Sequence, residues 1–207
     1  TQRKEIDKIE IWAWKSMLGL PKTTPMAAVM IASGALYASI RVQVKQLIYL
    51  HKVLNKSNDH WTYTTLQLLR KYKIGWAKQI DENLIEWELE TDWTNIKRKS
   101  GKEWKREVTA VAEKKNKQKI LEDCYKKERG SSIAKTKTKR IITLLEDEQY
   151  VRKPETFMTK STKLIARAYI MGRYGMLQCA ANFSCGYGGK ECKTCGVEDN
   201  EAHRINI

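Results

Sequence analysis

The sequence predicts an all-α fold: a multi-helix array with one long basic helix and a small C-terminal lobe built on cysteines and a histidine. Three observations point there. Apolar residues recur every three or four positions in one segment after another, which is the repeat of a helix face. Strand-like alternation is weak everywhere except for a short hairpin expected around Cys192. The 207 residues are 42% hydrophobic with seven tryptophans, enough to build a core, and 30% are charged.

Residues 4–18 read as the first helix, with Ile6, Ile9, Ala13 and Met17 as its apolar face, Trp12 and Trp14 off that face, and Gly19 and Pro21 ending it. Thr24 as N-cap and Pro25 in the first turn start a short helix to about Ala32, interrupted by Ser33-Gly34. Ser39 caps the next, which buries Ile40, Val44, Leu47 and Leu54 and points Arg41, Lys45 and Lys52 outward. After the loop 55–59, Asp59 or a neighbour caps a helix carrying Leu66, Leu69 and Tyr72 to Gly75. A further helix from Trp76 to about Leu89 brings Ile80, Leu84 and Trp87 together. His51 and His60 lack a second ligand at useful spacing and read as satisfied side chains rather than metal ligands.

Asp92 or Thr91 opens a basic segment. Ser100-Gly101 breaks it, and Lys102 to Glu128 then forms one helix of about 40 Å. Its apolar stripe runs through Trp104, Val108 and Val111 and continues in Leu121 and Tyr125, with Lys114, Lys115, Lys117, Lys119, Lys126 and Lys127 around it. Such a surface either faces a ligand or is a solvated face kept soluble by lysine. Gly130-Ser-Ser132 is a linker; Ile141, Ile142, Leu144 and Leu145 begin a helix to about Val151, ended by Pro154. The last helix, 159–176, sets Leu164, Ala168 and Met171 against Lys160, Lys163, Arg167 and Arg173. The chain thus divides into a helical region 1–90, a basic helical linker region 91–158, and a basic helix with the cysteine-histidine lobe, 159–207.

Charge is the strongest compositional signal, 39 Lys and Arg against 24 Asp and Glu, a net +15. A surplus of that size makes a polyanion the expected partner, through release of counterions from phosphates. From Ile96 to Arg140 there are 17 basic and 6 acidic residues, so this segment carries +11. Lys97, Arg98, Lys99, Lys102, Lys105 and Arg106, then Lys135, Lys137, Lys139 and Arg140, with Arg167 and Arg173, are the candidate contacts to RNA or DNA phosphates. Trp93 and Trp104 lie among them, and burial is weighed above base stacking for both. The segment lacks the continuous apolar face of a membrane anchor. No apolar run reaches the roughly eighteen residues of a membrane span, and the N-terminus has no signal-peptide form. An intracellular protein of nucleus and cytoplasm is expected, without a membrane partner, and five cysteines agree with a reducing compartment.

Near the C-terminus, Cys192, Cys195 and His203 stand as C-x2-C-x7-H behind Cys185. Two cysteines at that spacing bite one tetrahedral zinc from a single turn, with Gly196 relaxing the backbone after them. A structural zinc takes four ligands, so either Cys185 completes the set or a cysteine beyond Ile207 does. Without metal these are ordinary reduced thiols or a redox pair. Cys124 and Cys179 read as buried or neutral thiols.

The run Gly172-Arg-Tyr-Gly-Met-Leu177, Asn182-Phe183, Glu191-Cys-Lys-Thr-Cys-Gly196 and Glu201-Ala-His203 resembles the C-terminal cysteine-histidine knuckle of reverse transcriptases from non-long-terminal-repeat retrotransposons. That family pattern adds a cysteine after four intervening residues beyond the histidine, which here falls just past Ile207. Leu20-Pro-Lys-Thr-Thr-Pro25, Gly34-Ala-Leu-Tyr37 and Ser39-Ile-Arg41 are similar to the segment just downstream of the polymerase palm in the same proteins. Between about Leu54 and Lys160 only the basic, helical character matches. The resemblance implies a thumb- and connector-like first region, an upstream polymerase domain as partner, and a zinc knuckle holding template RNA or target DNA. The missing initiator Met and the ending inside a motif suggest a piece of a longer chain.

An activity of its own is not expected. The chain has no phosphate-binding glycine loop, no G-x-S-x-G and no paired aspartates for two magnesium ions, and Glu146-Asp-Glu148 reads as a helix end. The resemblance places the polymerase carboxylates upstream. The alternative is a helical protein-interaction module with a lysine-rich solvated face and no metal. A thiol oxidoreductase lacks the alternating strands and helices its fold needs.

Overall fold

The computed structural model describes residues 2–22, 24–128, 141–143, 145–146, 167, 170 and 171. Most of these residues are helical, the rest are turns and connections, and there is no strand among them. By packing, the chain divides into Thr1–Ala35 with Lys117–Ile207 as one unit and Leu36–Asn116 as the other, a different partition from the compositional segments ending at residues 90 and 158.

In the first unit, α1 (Gln2–Leu18) packs on α2 (Met26–Ser33). The end of α1 is a Schellman turn: Leu20 N–H bonds to Lys15 C=O at 2.8 Å and Gly19 N–H to Ser16 C=O at 3.2 Å, with Gly19 at φ 62°. That left-handed position is why glycine stands there. The expected apolar face of α1 is reversed. Ile6, Ile9 and Met17 are exposed, and Asp7, Ile11 and Leu18 are buried instead. On the inward row the Asp7 carboxylate accepts from the Lys119 ammonium, while Ile11 and Leu18 bury apolar surface beside it. α2 is apolar almost throughout, and Ala27 to Ser33 are all buried. Thr24 does not cap it; Pro25 occupies the N-cap and the buried Thr24 hydroxyl has no hydrogen-bond partner.

The second unit is organised on α3 (Ala38–Leu54), against which α4 (Trp61–Lys71), α5 (Gly75–Glu86) and α6 (Trp93–Arg98) pack. Leu47, Leu50 and Leu54 of α3 meet a core that includes Leu66, Ile80, Leu84, Trp87 and Ile96, all buried. A polar bridge fixes the rotation of α3: Gln43 Nε2 donates to Asn83 Oδ1 at 3.0 Å, and both side chains are buried. Ser39 lies inside α3, not at its cap. The N-cap is Tyr37, whose N–H donates to Asn116 Oδ1 at 3.0 Å, from 79 residues away. His60, next to Asp59, caps α4 by accepting the Thr62 N–H at its Nδ1.

α7 (Gly101–Glu128) begins where the break at Ser100-Gly101 was expected, and Ser100 Oγ accepts the Glu103 N–H at 3.2 Å. Its buried line is Trp104, Val108, Ala112, Asn116, Ile120 and Cys124, a strict step of four, whereas Val111 and Leu121 are only half-buried and Tyr125 is exposed. A step of four advances about 40° per turn of the helix, so this line winds around α7. Small Ala112 and polar Asn116 do not register in an apolar count, which is why the expected stripe drifted off it. Ile141, Ile142 and Leu145 are helical and buried, as is Ile170, while Arg167 is helical and exposed.

Candidate nucleic-acid interface

The densest described cluster of expected phosphate contacts is the elbow between α6 and α7. Asp92 caps α6, its Oδ1 accepting the Thr94 N–H at 2.8 Å, and Trp93 and Ile96 anchor its inner face. The elbow is pinned from below by His51 of α3, whose Nε2 lies 2.9 Å from the Lys99 carbonyl oxygen, and by Trp104, whose Nε1–H donates to the Leu47 carbonyl at 2.9 Å. Gly101 lies over the His51 ring, where an added Cβ would meet Cε1 at 3.6 Å. His51 and His60 are therefore both satisfied structural side chains.

The six expected cations of this elbow separate into two groups. Lys99 is tied down: its ammonium pairs with Glu107 Oε2 at 2.6 Å and lies 5.5 Å from the Trp104 ring. Lys97 rests over the Tyr63 ring at 5.3 Å and is half-buried. Arg98, Lys102, Lys105 and Arg106 are exposed and make no ion pair with any described residue. At 100° per residue, Lys102, Lys105 and Arg106 fall within about 100° of the α7 surface, an arc centred about 150° round the helix from Trp104. Lys102 adds its charge to the positive end of the α7 dipole, and Glu103 in the same first turn offsets it.

Other lysines expected to crowd α7 have structural work. Lys115 Nζ donates to the Glu86 carbonyl at 2.6 Å and so caps the last turn of α5. Lys119 pairs with Asp7. Trp93 and Trp104, weighed as base-stacking candidates, are 2% and 1% exposed and belong to the core. The Arg70 guanidinium covers the Trp93 ring at 4.0 Å.

Lys135, Lys137, Lys139, Arg140 and Arg173 lie outside the described residues, as do Cys185, Cys192, Cys195 and His203. Among the described residues no group of three or more His, Cys, Asp or Glu side chains is placed to hold a metal ion, and Cys124 is a buried cysteine. No single described helix is long and apolar enough to cross a membrane.

The sequence reading turned Arg41, Lys45 and Lys52 outward but counted no basic residue between Arg41 and Lys78 among the phosphate contacts. Between Arg41 and Lys78 there are eight Lys or Arg and a single acidic residue, Asp59. The signal was present as a missing count of carboxylates, but it was spread over three helices rather than gathered in one run. No protein-family model, no curated protein and no solved structure matches the chain.

Proposed function

We propose that the chain is a non-catalytic, nucleic-acid-binding segment from the C-terminal part of a retroelement reverse transcriptase, acting beside an upstream polymerase domain. The resemblance in Leu20–Pro25 and Glu191–His203 supports the family, and the net +15 supports a polyanionic partner. The observation that carries the binding function is the elbow: Arg98, Lys102, Lys105 and Arg106 are exposed beside its buried base and form no ion pair among the described residues. Cations so placed contact phosphates and hold a strand or duplex without reading its sequence. Cys192, Cys195 and His203, with Cys185 or a later cysteine, would hold zinc as a structural ion that stiffens the C-terminal lobe.

The test is a binding titration of duplex DNA and structured RNA across a salt series. Replacing the four elbow cations by Gln should make the slope of log affinity against log salt shallower by about three to four on duplex DNA, with far-UV circular dichroism unchanged. An unchanged slope would remove the elbow from the interface.

A second reading is favoured by α4. Trp61, Thr65, Leu68 and Tyr72 share one outward stripe, and Trp61, Leu68 and Tyr72 are 72%, 51% and 63% exposed. Such a stripe suits a partner helix, which makes the chain a helical interaction module. Affinity for RNA that falls steeply with salt counts against that reading.

A further inference from the structure

The outward face of α3 joins cations to an exposed aromatic ring. Arg41, Lys45 and Lys52 are exposed and, at 100° per residue, fall within about 40° of one another along roughly 16 Å of helix. α3 contains no acidic residue. The direction of this row is set from beneath, because Gln43 is bonded to Asn83 and Leu47 and Leu50 are fully buried. Tyr49 stands on the same side between Lys45 and Lys52 and is exposed. Its ring leans on that of Trp76 at the start of α5, with centroids 5.6 Å apart and planes tilted by 57°. Trp76 is half-buried, so it props the tyrosine rather than competing with it for a ligand.

We infer that this face of α3 is a track for single-stranded RNA or DNA, with Lys45 and Lys52 on phosphates and Tyr49, backed by Trp76, stacking on an unpaired base. It rests on the nucleic-acid reading of the elbow and adds a preference that the elbow lacks. The charge complementarity is one-sided at the row itself, since Lys45 and Lys52 are exposed and pair with no described carboxylate, while Arg70 and Lys78 farther along are held by Asp81 and Glu82. A duplex would satisfy the cations, but its base faces are already stacked inside. Only a single strand offers a free face to Tyr49. Lys45 and Lys52 on either side of the ring keep the strand's backbone beside it.

The full chain should be titrated with oligo-uridine and with duplex DNA, in the unaltered form and as Tyr49→Ser, Tyr49→Phe and the double variant Lys45→Gln/Lys52→Gln. Tyr49→Ser should weaken oligo-uridine binding about tenfold and leave duplex binding within about twofold, while Tyr49→Phe keeps the affinity because the ring remains. The lysine pair should flatten the single-strand salt slope by about 1.4. Equal losses on both ligands, or no loss on oligo-uridine, overturn the track and leave the elbow reading standing on the duplex slope. Polyglutamate bound as tightly as oligo-uridine, with the same dependence on Tyr49, assigns the face to an acidic protein and also overturns it. If the unaltered chain binds neither nucleic acid, both proposals fall.

Discussion

Trp104 shows how one side chain settles two questions. Its ring fills the core beneath the elbow and its Nε1–H is spent on the Leu47 carbonyl, so it positions Lys102, Lys105 and Arg106 and offers no face to a base. Trp104→Phe should cost about 1 kcal/mol for the lost hydrogen bond plus a small packing defect, and Trp104→Ala about 3–5 kcal/mol, both read from urea unfolding. A Trp104→Ala variant as stable as the parent would mean that the ring is not core. Asn116 acts at a similar distance from its sequence neighbours. Its side-chain oxygen takes the Tyr37 N–H, the role that a capping-box glutamate plays locally, and no pattern around residue 38 signals it. Residue type led the sequence reading to Ser39 and Thr24 as caps, but the caps that formed were chosen by what the folded chain places nearby.

Helix ends and helix faces differ in how visible they are. α4 and α5 both finish in Schellman turns without glycine: Ile74 N–H reaches Leu69 C=O and Leu89 N–H reaches Leu84 C=O, with Lys73 at φ 51° and Glu88 at φ 54°. A side chain in the left-handed region costs about 1 kcal/mol, part of which returns as the lower entropy loss of a residue stiffer than glycine. Glu88→Gly should therefore raise stability by about 0.5 kcal/mol, seen as a higher urea midpoint at unchanged m value. A lower midpoint would show that the Glu88 side chain contributes more than its strain costs. The extent of α7 was legible because a serine cap, a break at glycine and a long stretch of helix formers are local. Its buried line was not, since choosing Ala112 over Val111 depends on what packs against it. α1 carries apolar groups on both sides, and the side that turns inward carries Ile11, Leu18 and an Asp7 whose partner, Lys119, lies 112 residues away.

The whole chain combines a strong positive charge with units that pack around their own cores. Residues 36–116 hold α3 to α6, the buried Gln43–Asn83 pair, Trp87, Trp93 and Trp104 within one unit. Expressed alone, this fragment should unfold in a single cooperative urea transition with an m value of roughly 1 kcal/mol/M; a broad, non-cooperative melt would show that its core depends on the remainder of the chain. Helix content, the length of α7 and the positive charge were all present in the sequence, because periodicity, caps and composition are properties of neighbours along the chain. Which cations are paired, which tryptophans are buried and which face of α1 turns inward were settled only on folding. Lys99 is paired with Glu107 and Lys119 with Asp7 at the far end of the chain, and Lys115 is tethered to a carbonyl 29 residues away, while Arg98, Lys102, Lys105 and Arg106 make no ion pair among the described residues. Ion pairs and burial are contacts between positions distant in sequence, and their partners exist only once the backbone has brought them together.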